Sequence, residues 1–154
     1  MFLFLEILFT LWYNRMKWGG MMISTKGRYA LRFLADVAEH QGSGFVPLRD
    51  VAARQEISEK YLEIVVKELV KGGLLDTLRG KGGGYRLNRP PEEYGVKAII
   101  ERMEGPLAPV ACLEPGQDIC PRSKNCWTLP LWQGLDKVIS DYLTQFTLAD
   151  LIRE

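Results

Sequence analysis

The side chains best suited to chemistry in this sequence are three cysteines that lie within fifteen residues: Cys112, Cys120 and Cys126. Seven residues separate the first pair and five the second, so the spacing differs from the CxxC pairs of a zinc knuckle. An odd number of cysteines, with no sign of export, argues against a disulfide framework. Since thiolates are the preferred ligands of iron–sulfur clusters and prolines hold this segment open, we predict a cluster-binding loop. Redox-active or structural thiols and a zinc site are the alternatives.

A cluster also needs a fourth ligand and ionised thiols, and the neighbouring residues offer both. Arg122 and Lys124 lie beside the cysteines and would help to keep the thiols deprotonated. Glu114 and Asp118 supply carboxylates within the loop. The only histidine, His40, is distant in sequence and ends a predicted helix, where an imidazole interacts favourably with the helix dipole. The fourth ligand stays open, with the two carboxylates ahead of the histidine.

The charges are unevenly distributed along the 154 residues, although the net charge is only +1. Residues 24–90 hold twelve basic and eight acidic residues, whereas residues 91–154 hold six basic and ten acidic ones. A basic half joined to an acidic half suggests a polyanion-binding module followed by a region with another task. Apolar residues make up 47% and charged residues 25%, which excludes wholesale disorder, collagen and a polytopic membrane protein.

Hydrophobic periodicity, capping residues and turn signals predict the elements that would position these groups. Three helices come first, followed by two short strands around a glycine-rich turn, a short helix and a longer final helix with a wide apolar stripe. The predicted helices are 25–40, 48–55, 59–71, 95–104 and about 130–146, and the strand-like runs are 74–79 and 85–88. This order predicts a mostly α (α+β) fold, a winged helix-turn-helix with a long C-terminal dimerisation helix.

The third helix and the turn of the hairpin carry side chains that we expect to contact DNA. The helix face that the apolar stripe leaves free holds Glu59 together with the four residues that we expect to contact DNA: Lys60, Glu63, Ile64 and Lys67. Arg79 and Lys81 lie on the glycine-rich turn, where a guanidinium can enter the narrow minor groove. Arg28 and Tyr29 on the first helix are further candidates. A P-loop is excluded because there is no GxxxxGK[ST] motif. The alternative to DNA binding is that the three helices and the hairpin are only a small packing unit, whose charges form a solvated surface.

The first 21 residues begin with an apolar run, MFLFLEILFTLWY, which precedes Arg15 and Lys17. A secretory signal would place its positive charges before the apolar stretch. A dozen apolar residues are also too few for the roughly 20 that span a bilayer. We interpret this segment as translated upstream sequence, with a partner-binding or interfacial helix and a membrane tether as alternatives. The candidate later starts are Met16, Met21 and Met22.

The chain contains the segments ISTKGRYALRFLADVAEH, ISEKYLE, LRGKGGGYRL and RPPEEYGVKAIIERMEGPLAPVACLE. Together they resemble the IscR-type (Rrf-two) family of winged-helix transcriptional regulators, over the range from about Met22 to Leu151. The resemblance implies a homodimer that binds a palindromic operator in double-stranded DNA, with the last helix as the dimerisation arm. It also implies DNA contacts at four positions: Lys60, Glu63, Ile64 and Arg79.

Two departures from the family pattern concern the residues that would determine specificity and cluster binding. Members often carry glutamine where this chain has Ile64, which can touch a thymine methyl but cannot hydrogen-bond a base. Cluster-binding members carry three cysteines in this loop, which implies an iron–sulfur cluster, [2Fe–2S] in preference to [4Fe–4S]. Some place a histidine three residues after the last cysteine, where this chain has Leu129. Others use an acidic residue from the partner's first helix, where this chain has Lys26-Gly27-Arg28-Tyr29.

The predicted function is that of a cytoplasmic DNA-binding transcriptional regulator, usually a repressor, that senses iron–sulfur or redox status. An enzyme is not expected, because the glutamates of the second half have no histidine or serine partner nearby in sequence. The alternative is a cluster-free regulator of the same fold, controlled by a metabolic partner enzyme, for example in cysteine metabolism. The predicted domains are an extension (1–21), a winged helix-turn-helix (22–90), a linker helix with the cysteine loop (91–127), and a dimerisation helix with a tail (128–154).

Overall fold

Six helices and one short hairpin make up residues 23–118 and 120–152, the part of the chain described by the computed structural model. The helices are α1 (Thr25–His40), α2 (Leu48–Gln55), α3 (Glu59–Lys71), α4 (Val96–Glu104), α5 (Leu129–Thr144) and α6 (Leu148–Ile152). The strands are β1 (Leu75–Leu78) and β2 (Gly84–Leu87), and 3-10 turns lie at Pro91–Glu93, Ala111–Leu113 and Ser123–Asn125. The predicted fold class is confirmed. Residues 1–22, with the candidate later starts, lie outside the described residues.

Helix α1 is the central element of the core, and its ends are held by specific partners. The Ser24 hydroxyl accepts a hydrogen bond from the Lys26 N–H at 3.1 Å, which caps the first turn. Phe33, Leu34 and Val37 are fully buried at helical spacing against the neighbouring helices and the hairpin. Truncating a buried aromatic such as Phe33 to alanine typically costs about 3–5 kcal/mol, so this stripe contributes a large share of the stability.

Helices α2 and α3 form the helix-turn-helix, joined by a three-residue turn. Glu56 adopts a left-handed conformation at φ 54°, and the Ile57 N–H donates to the carbonyl of Ala52 at 3.0 Å. The Ser58 hydroxyl then accepts from the Tyr61 N–H at 3.3 Å and begins α3. One stripe of α3 enters the core through Leu62, Val65, Val66 and Leu69. The opposite face of α3 is therefore left for solvent or a ligand.

A buried carboxylate ties α1 to the end of α2. Asp36 is only 2% exposed, and both of its oxygens accept from the Arg54 Nε at 3.1 Å. The Gln55 side-chain amide donates to the same carboxylate at 2.9 Å. These hydrogen bonds raise the pKa of Arg54 above its ordinary value, with Asp36 as the main cause. The network satisfies a charge that would otherwise be costly to bury, and it fixes the angle between α1 and the helix-turn-helix.

The hairpin packs against the helices at one end and projects from them at the other. Strands β1 and β2 are antiparallel, with Leu75 opposite Leu87 and Leu78 opposite Gly84. Leu75 and Leu87 are buried in the core. Gly84 lies so close to the carbonyl of Val46 that a Cβ would overlap it, which explains glycine at this position. The hairpin is thus a wing whose base is anchored and whose tip is exposed.

Helices α4, α5 and α6 form the second half of the molecule. Val96 and Ile100 of α4 pack with Leu107, and Leu143 of α5 and Phe146, which follows that helix, lie against them. Helix α5 ends at Thr144, slightly earlier than predicted, and the short helix α6, which the sequence pattern did not indicate, inserts the fully buried Leu148 into the main core. None of the described helices is long and apolar enough to cross a lipid bilayer.

Candidate nucleic-acid interface and cysteine cavity

The outward face of α3 carries the four side chains that the sequence singled out. Lys60, Glu63 and Lys67 are exposed, and Ile64 is 53% exposed although it is aliphatic. Ile64 lies among these charged side chains, on the face opposite the buried stripe Leu62, Val65, Val66 and Leu69. The structure thus places all four residues on one accessible surface, as a major-groove recognition helix requires.

The wing and α3 border a common groove of about 650 Å³. Arg79 lines the groove from the wing side, and Lys67 and Lys71 line it from α3. Arg49 of α2 adds a fourth cation, whereas Lys81 is exposed at the wing tip. Arg49 and Lys71 contributed to the basic count of this half, but the sequence did not mark them as contacts because nothing local places them beside the wing. The groove has the positive lining that a phosphate backbone requires.

Arg28 and Tyr29 occupy different environments on α1. The Tyr29 ring meets Tyr61 edge to face at a centroid distance of 5.6 Å, and the Arg32 guanidinium lies 5.3 Å from its centre. Tyr29 is therefore half-buried between α1 and α3, where it supports the recognition helix. Arg28 is exposed and donates to the Thr25 hydroxyl at 3.2 Å. Of the two, Arg28 is the one free to reach a phosphate.

The three cysteines line a single cavity of about 190 Å³, together with Asp118 and Ser123. Cys112 belongs to the 3-10 turn Ala111–Leu113, and the Ser123 N–H donates to the carbonyl of Cys120 at 2.8 Å. All three thiols are free, so there is no disulfide among them. Within the described ranges, no three His, Cys, Asp or Glu side chains are close enough to hold a metal ion as they stand. The loop brings the thiols to one place without closing them into a finished ligand set.

The pKa of the Cys126 thiol is lowered from its ordinary value by its neighbours. The Thr128 side chain and backbone lower the pKa of Cys126, and the Leu129 N–H and the charge of Arg122 lower it further. The Thr128 hydroxyl lies 3.5 Å from the sulfur. Arg122 thus acts in the direction that its position in the sequence suggested.

The three candidates for a fourth ligand differ in their position relative to the cysteine cavity. Asp118 lines the cysteine cavity, and Glu114 does not contribute to its lining. His40 lies at the end of α1, where its Nδ1 is 2.8 Å from the carbonyl of Asp36 and 3.6 Å from that residue's carboxylate. The histidine therefore belongs to the α1 network, as expected from its position at a helix end, and Asp118 is the carboxylate placed beside the thiols.

The apolar stripe of α5 divides into two faces. On the inner face, Leu143 packs against the apolar residues of α4, and Ile139 borders a cavity between α4 and α5. The outer face is solvent-exposed in the single chain, by 39 to 64%, and repeats every three or four residues: Leu131, Leu135, Val138 and Tyr142. Ile139 shares the apolar spacing of the outer residues, but it borders the cavity that Lys97 and Glu101 of α4 also line. The exposed face has the geometry of a helix–helix seam.

A recognition helix, a basic wing and a projecting helix with an unpaired apolar face define a winged helix-turn-helix transcriptional regulator. The chain belongs to the Rrf2 family, described as iron-dependent transcriptional regulators, which matches residues 23–154. The predicted resemblance is confirmed, and membership of a family of regulators confirms that the chain is not an enzyme. Residues 1–22 lie outside the family match as well.

Named relatives and solved structures agree with this family. The regulator IscR of Erwinia tasmaniensis is 39% identical over 132 residues, which cover 86% of this chain and 79% of the relative. The solved structure of T. potens IscR is 36% identical with a TM-score of 0.66 and covers 85% of each chain. CymR, the global cysteine regulator of B. subtilis, is 34% identical with a TM-score of 0.69, covering 85% of this chain and 95% of that structure.

Proposed function

We propose that the chain is a homodimeric regulator acting in the cytoplasm, where it binds a palindromic operator under the control of an iron–sulfur cluster. The proposal rests on one observation: Cys112, Cys120 and Cys126 all line one cavity. These are the only cysteines of the chain, and the cavity that all three line measures about 190 Å³. Repression is the expected sign, because regulators of this kind are usually repressors.

On DNA, α3 lies in the major groove and the wing follows the backbone into the adjacent minor groove. Lys60 and Lys67 contact phosphates at the groove edges, and Glu63 accepts from a cytosine amino group. Ile64, with no hydrogen-bonding group, packs on a thymine methyl. Arg79 and Lys81 on the wing enter or border the minor groove, where the negative potential is greatest. Arg28 supplies a further phosphate contact, while Tyr29 holds α3 from behind through Tyr61.

The donor set of the cysteine cavity fits an iron–sulfur cluster. Three free thiols are the ligands that iron–sulfur clusters prefer, and one of them already has a lowered pKa. Asp118 would complete the set with oxygen, which would leave the cluster easier to lose than an all-thiolate one. The preference for [2Fe–2S] over [4Fe–4S] rests on the resemblance to the family. When bound, the cluster supplies redox sensitivity; the residues of the chain supply its attachment to the loop.

Dimerisation uses the outer face of α5. Four exposed apolar side chains in a row are costly in water, and a second copy of the same helix would cover them symmetrically. Two recognition helices related by a two-fold axis then meet two half-sites about one or more helical turns apart. The angle between the DNA-binding module and α5 therefore determines which half-site spacing is bound.

The proposal is tested by purifying the full chain without oxygen and measuring visible absorption, iron and acid-labile sulfide. Each of the variants Cys112→Ala, Cys120→Ala and Cys126→Ala should lose the same absorption and the same iron, because each removes one ligand of one cluster. Ser123→Ala is the matched control, since Ser123 lines the same cavity without a thiol. Iron-free wild-type protein from a cluster-competent host, or variants that differ in iron content, would contradict the proposal.

A second candidate is a cluster-free regulator controlled by a metabolic enzyme of cysteine metabolism. It is favoured by the similarity to CymR, whose description as a global cysteine regulator links this fold to that metabolism. Under this alternative the purified protein is colourless, its three thiols react with an alkylating reagent, and DNA binding does not depend on iron. The absorption spectrum therefore separates the two candidates in one measurement.

A further inference from the structure

Leu113 borders two cavities at once, and among the described residues it alone lines both. The first is the cysteine cavity. The second, which we call the hinge cavity, also measures about 190 Å³ and lies between α4 and α5. Lys97 and Glu101 of α4 form one of its walls. Asp136, Ile139 and Ser140 of α5 form another.

Leu113 is joined rigidly to the first cysteine. Cys112 and Leu113 share the 3-10 turn Ala111–Leu113, in which the Leu113 N–H donates to the carbonyl of Val110 at 3.0 Å. The Glu114 N–H donates to the carbonyl of Ala111 at 3.1 Å. Because the turn is closed by these two bonds, a rotation that redirects Cys112 also redirects Leu113.

The hinge cavity is in turn connected to the DNA-binding module. Leu107 lines the cavity and is 8% exposed, packed with Val96 and Ile100 of α4. Leu31 of α1 contacts the same apolar cluster from the module side. Leu143 of α5 contacts it from the other side. A side chain that moves in the hinge cavity therefore shifts the apolar side chains at the junction of α1, α4 and α5.

We propose that Leu113 is a positioning residue, which transmits the occupancy of the cysteine cavity to the α4–α5 junction and so sets the angle between the DNA-binding module and the dimerisation helix. This inference rests on the proposed function, because it gives the route by which a ligand on Cys112 reaches the DNA-binding surface. Packed side chains adopt discrete arrangements, and an empty volume beside Leu113 gives it a second arrangement to occupy. The neighbouring Cys112 selects between the two.

The test compares the operator affinity of cluster-loaded and cluster-free protein for the wild type and for Leu113→Ala. Coupling between two sites typically changes affinity by about 5- to 150-fold. We therefore expect the ratio of the operator affinities of cluster-loaded and cluster-free wild-type protein to lie within this range. In Leu113→Ala the ratio should fall to within about 2-fold of one, while the visible absorption and the iron content stay at the wild-type level. Leu113→Met, which restores the volume, should recover most of the ratio.

Leu129→Ala is the matched control, because Leu129 borders the cysteine cavity but not the hinge cavity. It should keep the wild-type ratio. Ser140→Val provides a second route that leaves the loop untouched: it fills the hinge cavity from α5 and should reduce the ratio as Leu113→Ala does. This variant keeps the inference testable even if Leu113→Ala folds poorly.

A readout independent of DNA is the hydrogen exchange of α4 and α5. Cluster loading should change the protection of amides 96–104 and 129–144 in the wild type and leave it unchanged in Leu113→Ala. If the wild type binds a cluster and responds to it but Leu113→Ala responds equally, the inference is wrong and the proposed function stands. If the wild type binds no cluster, or its affinity is the same in both states, the proposed function and the inference fail together.

Discussion

Glu104, the last residue of α4, holds Ser24 at the start of α1. One oxygen of the Glu104 carboxylate accepts from the Ser24 hydroxyl at 2.7 Å and from the Ser24 N–H at 3.0 Å. The same oxygen accepts from the Gly27 N–H at 2.9 Å, and it lies so close that a Cβ on Gly27 would overlap it. A negative charge at this end of α1 also interacts favourably with the helix dipole. The linker helix thus caps the central helix of the DNA-binding module.

Replacing Glu104 by alanine should therefore destabilise the module. Three N–H or O–H donors lose a charged acceptor, and one such hydrogen bond contributes about 1.5–3 kcal/mol. Because Glu104 is only half-buried, water replaces part of what is lost, and we expect a total loss of roughly 2–4 kcal/mol in the free energy of unfolding. Urea denaturation measures it. Glu101→Ala, one turn earlier, removes only a partly exposed pair with Lys97 at 3.6 Å and should cost less than about 1 kcal/mol. Equal losses in the two variants would contradict the capping role.

Ile64 should set the base preference at one position of each half-site. Ile64→Gln replaces an apolar contact with a side chain that can bond adenine N6 and N7, so the preferred base should change from thymine to adenine at that position. The expected discrimination is about 1–3 kcal/mol, measured on a library of operator variants. Lys67→Met is the contrasting variant, since loss of a phosphate contact should weaken binding to all sequences alike. An unchanged base profile for Ile64→Gln would show that α3 does not present Ile64 to the bases.

Arg79 should contribute to affinity through the minor groove. Arg79→Ala is expected to weaken operator binding by about 1–3 kcal/mol and to reduce the salt dependence of log K by about one unit. Titrations at several salt concentrations measure both quantities. Lys137→Ala removes one positive charge from the exposed side of α5, where Lys137 pairs with Asp141, and should change neither. If the control variant weakens binding as much as Arg79→Ala, the effect comes from net charge and not from the wing.

The outer face of α5 should be the dimer interface. Leu135→Glu combined with Val138→Glu buries two charges in the seam and should give monomers in sedimentation experiments, without unfolding the DNA-binding module. The matched control changes the charge of α5 by the same two units on its solvent side, through Lys137→Ala and Thr144→Glu, and should remain dimeric. A dimer that survives the two glutamates at positions 135 and 138 would place the interface elsewhere.

Local patterns were sufficient to predict most of the elements. The caps at Ser24 and Ser58 and the periodic apolar residues of α1 and α3 depend on neighbours within a few residues, and these helices begin and end where predicted. The exposed face of α3 follows directly, because the buried stripe leaves only one other side. The candidate DNA contacts on α3 were predictable for the same reason.

Contacts between distant segments were not predictable in this way. No sequence pattern pairs Glu104 with Ser24, because the two lie 80 residues apart in sequence, yet they are neighbours in space. Ile139 could not be separated from the outer apolar residues of α5 by its spacing, because spacing alone cannot tell an inner from an outer face when both are apolar. Asp118 and Glu114 were equal candidates until the fold placed only Asp118 in the cysteine cavity. The α6 helix was missed because five residues carry too little periodicity.

The most direct test of a cluster-controlled regulator uses one batch of the full chain in three states: as purified without oxygen, after removal of the iron with a chelator, and after reconstitution with iron and sulfide. Affinity for one operator fragment is measured in each state at a fixed salt concentration. We predict that removal of the iron changes the affinity for the operator fragment by at least about 5-fold. Reconstitution should restore both the visible absorption and the original affinity. Identical affinity in all three states, or a purified protein without iron, would contradict the account.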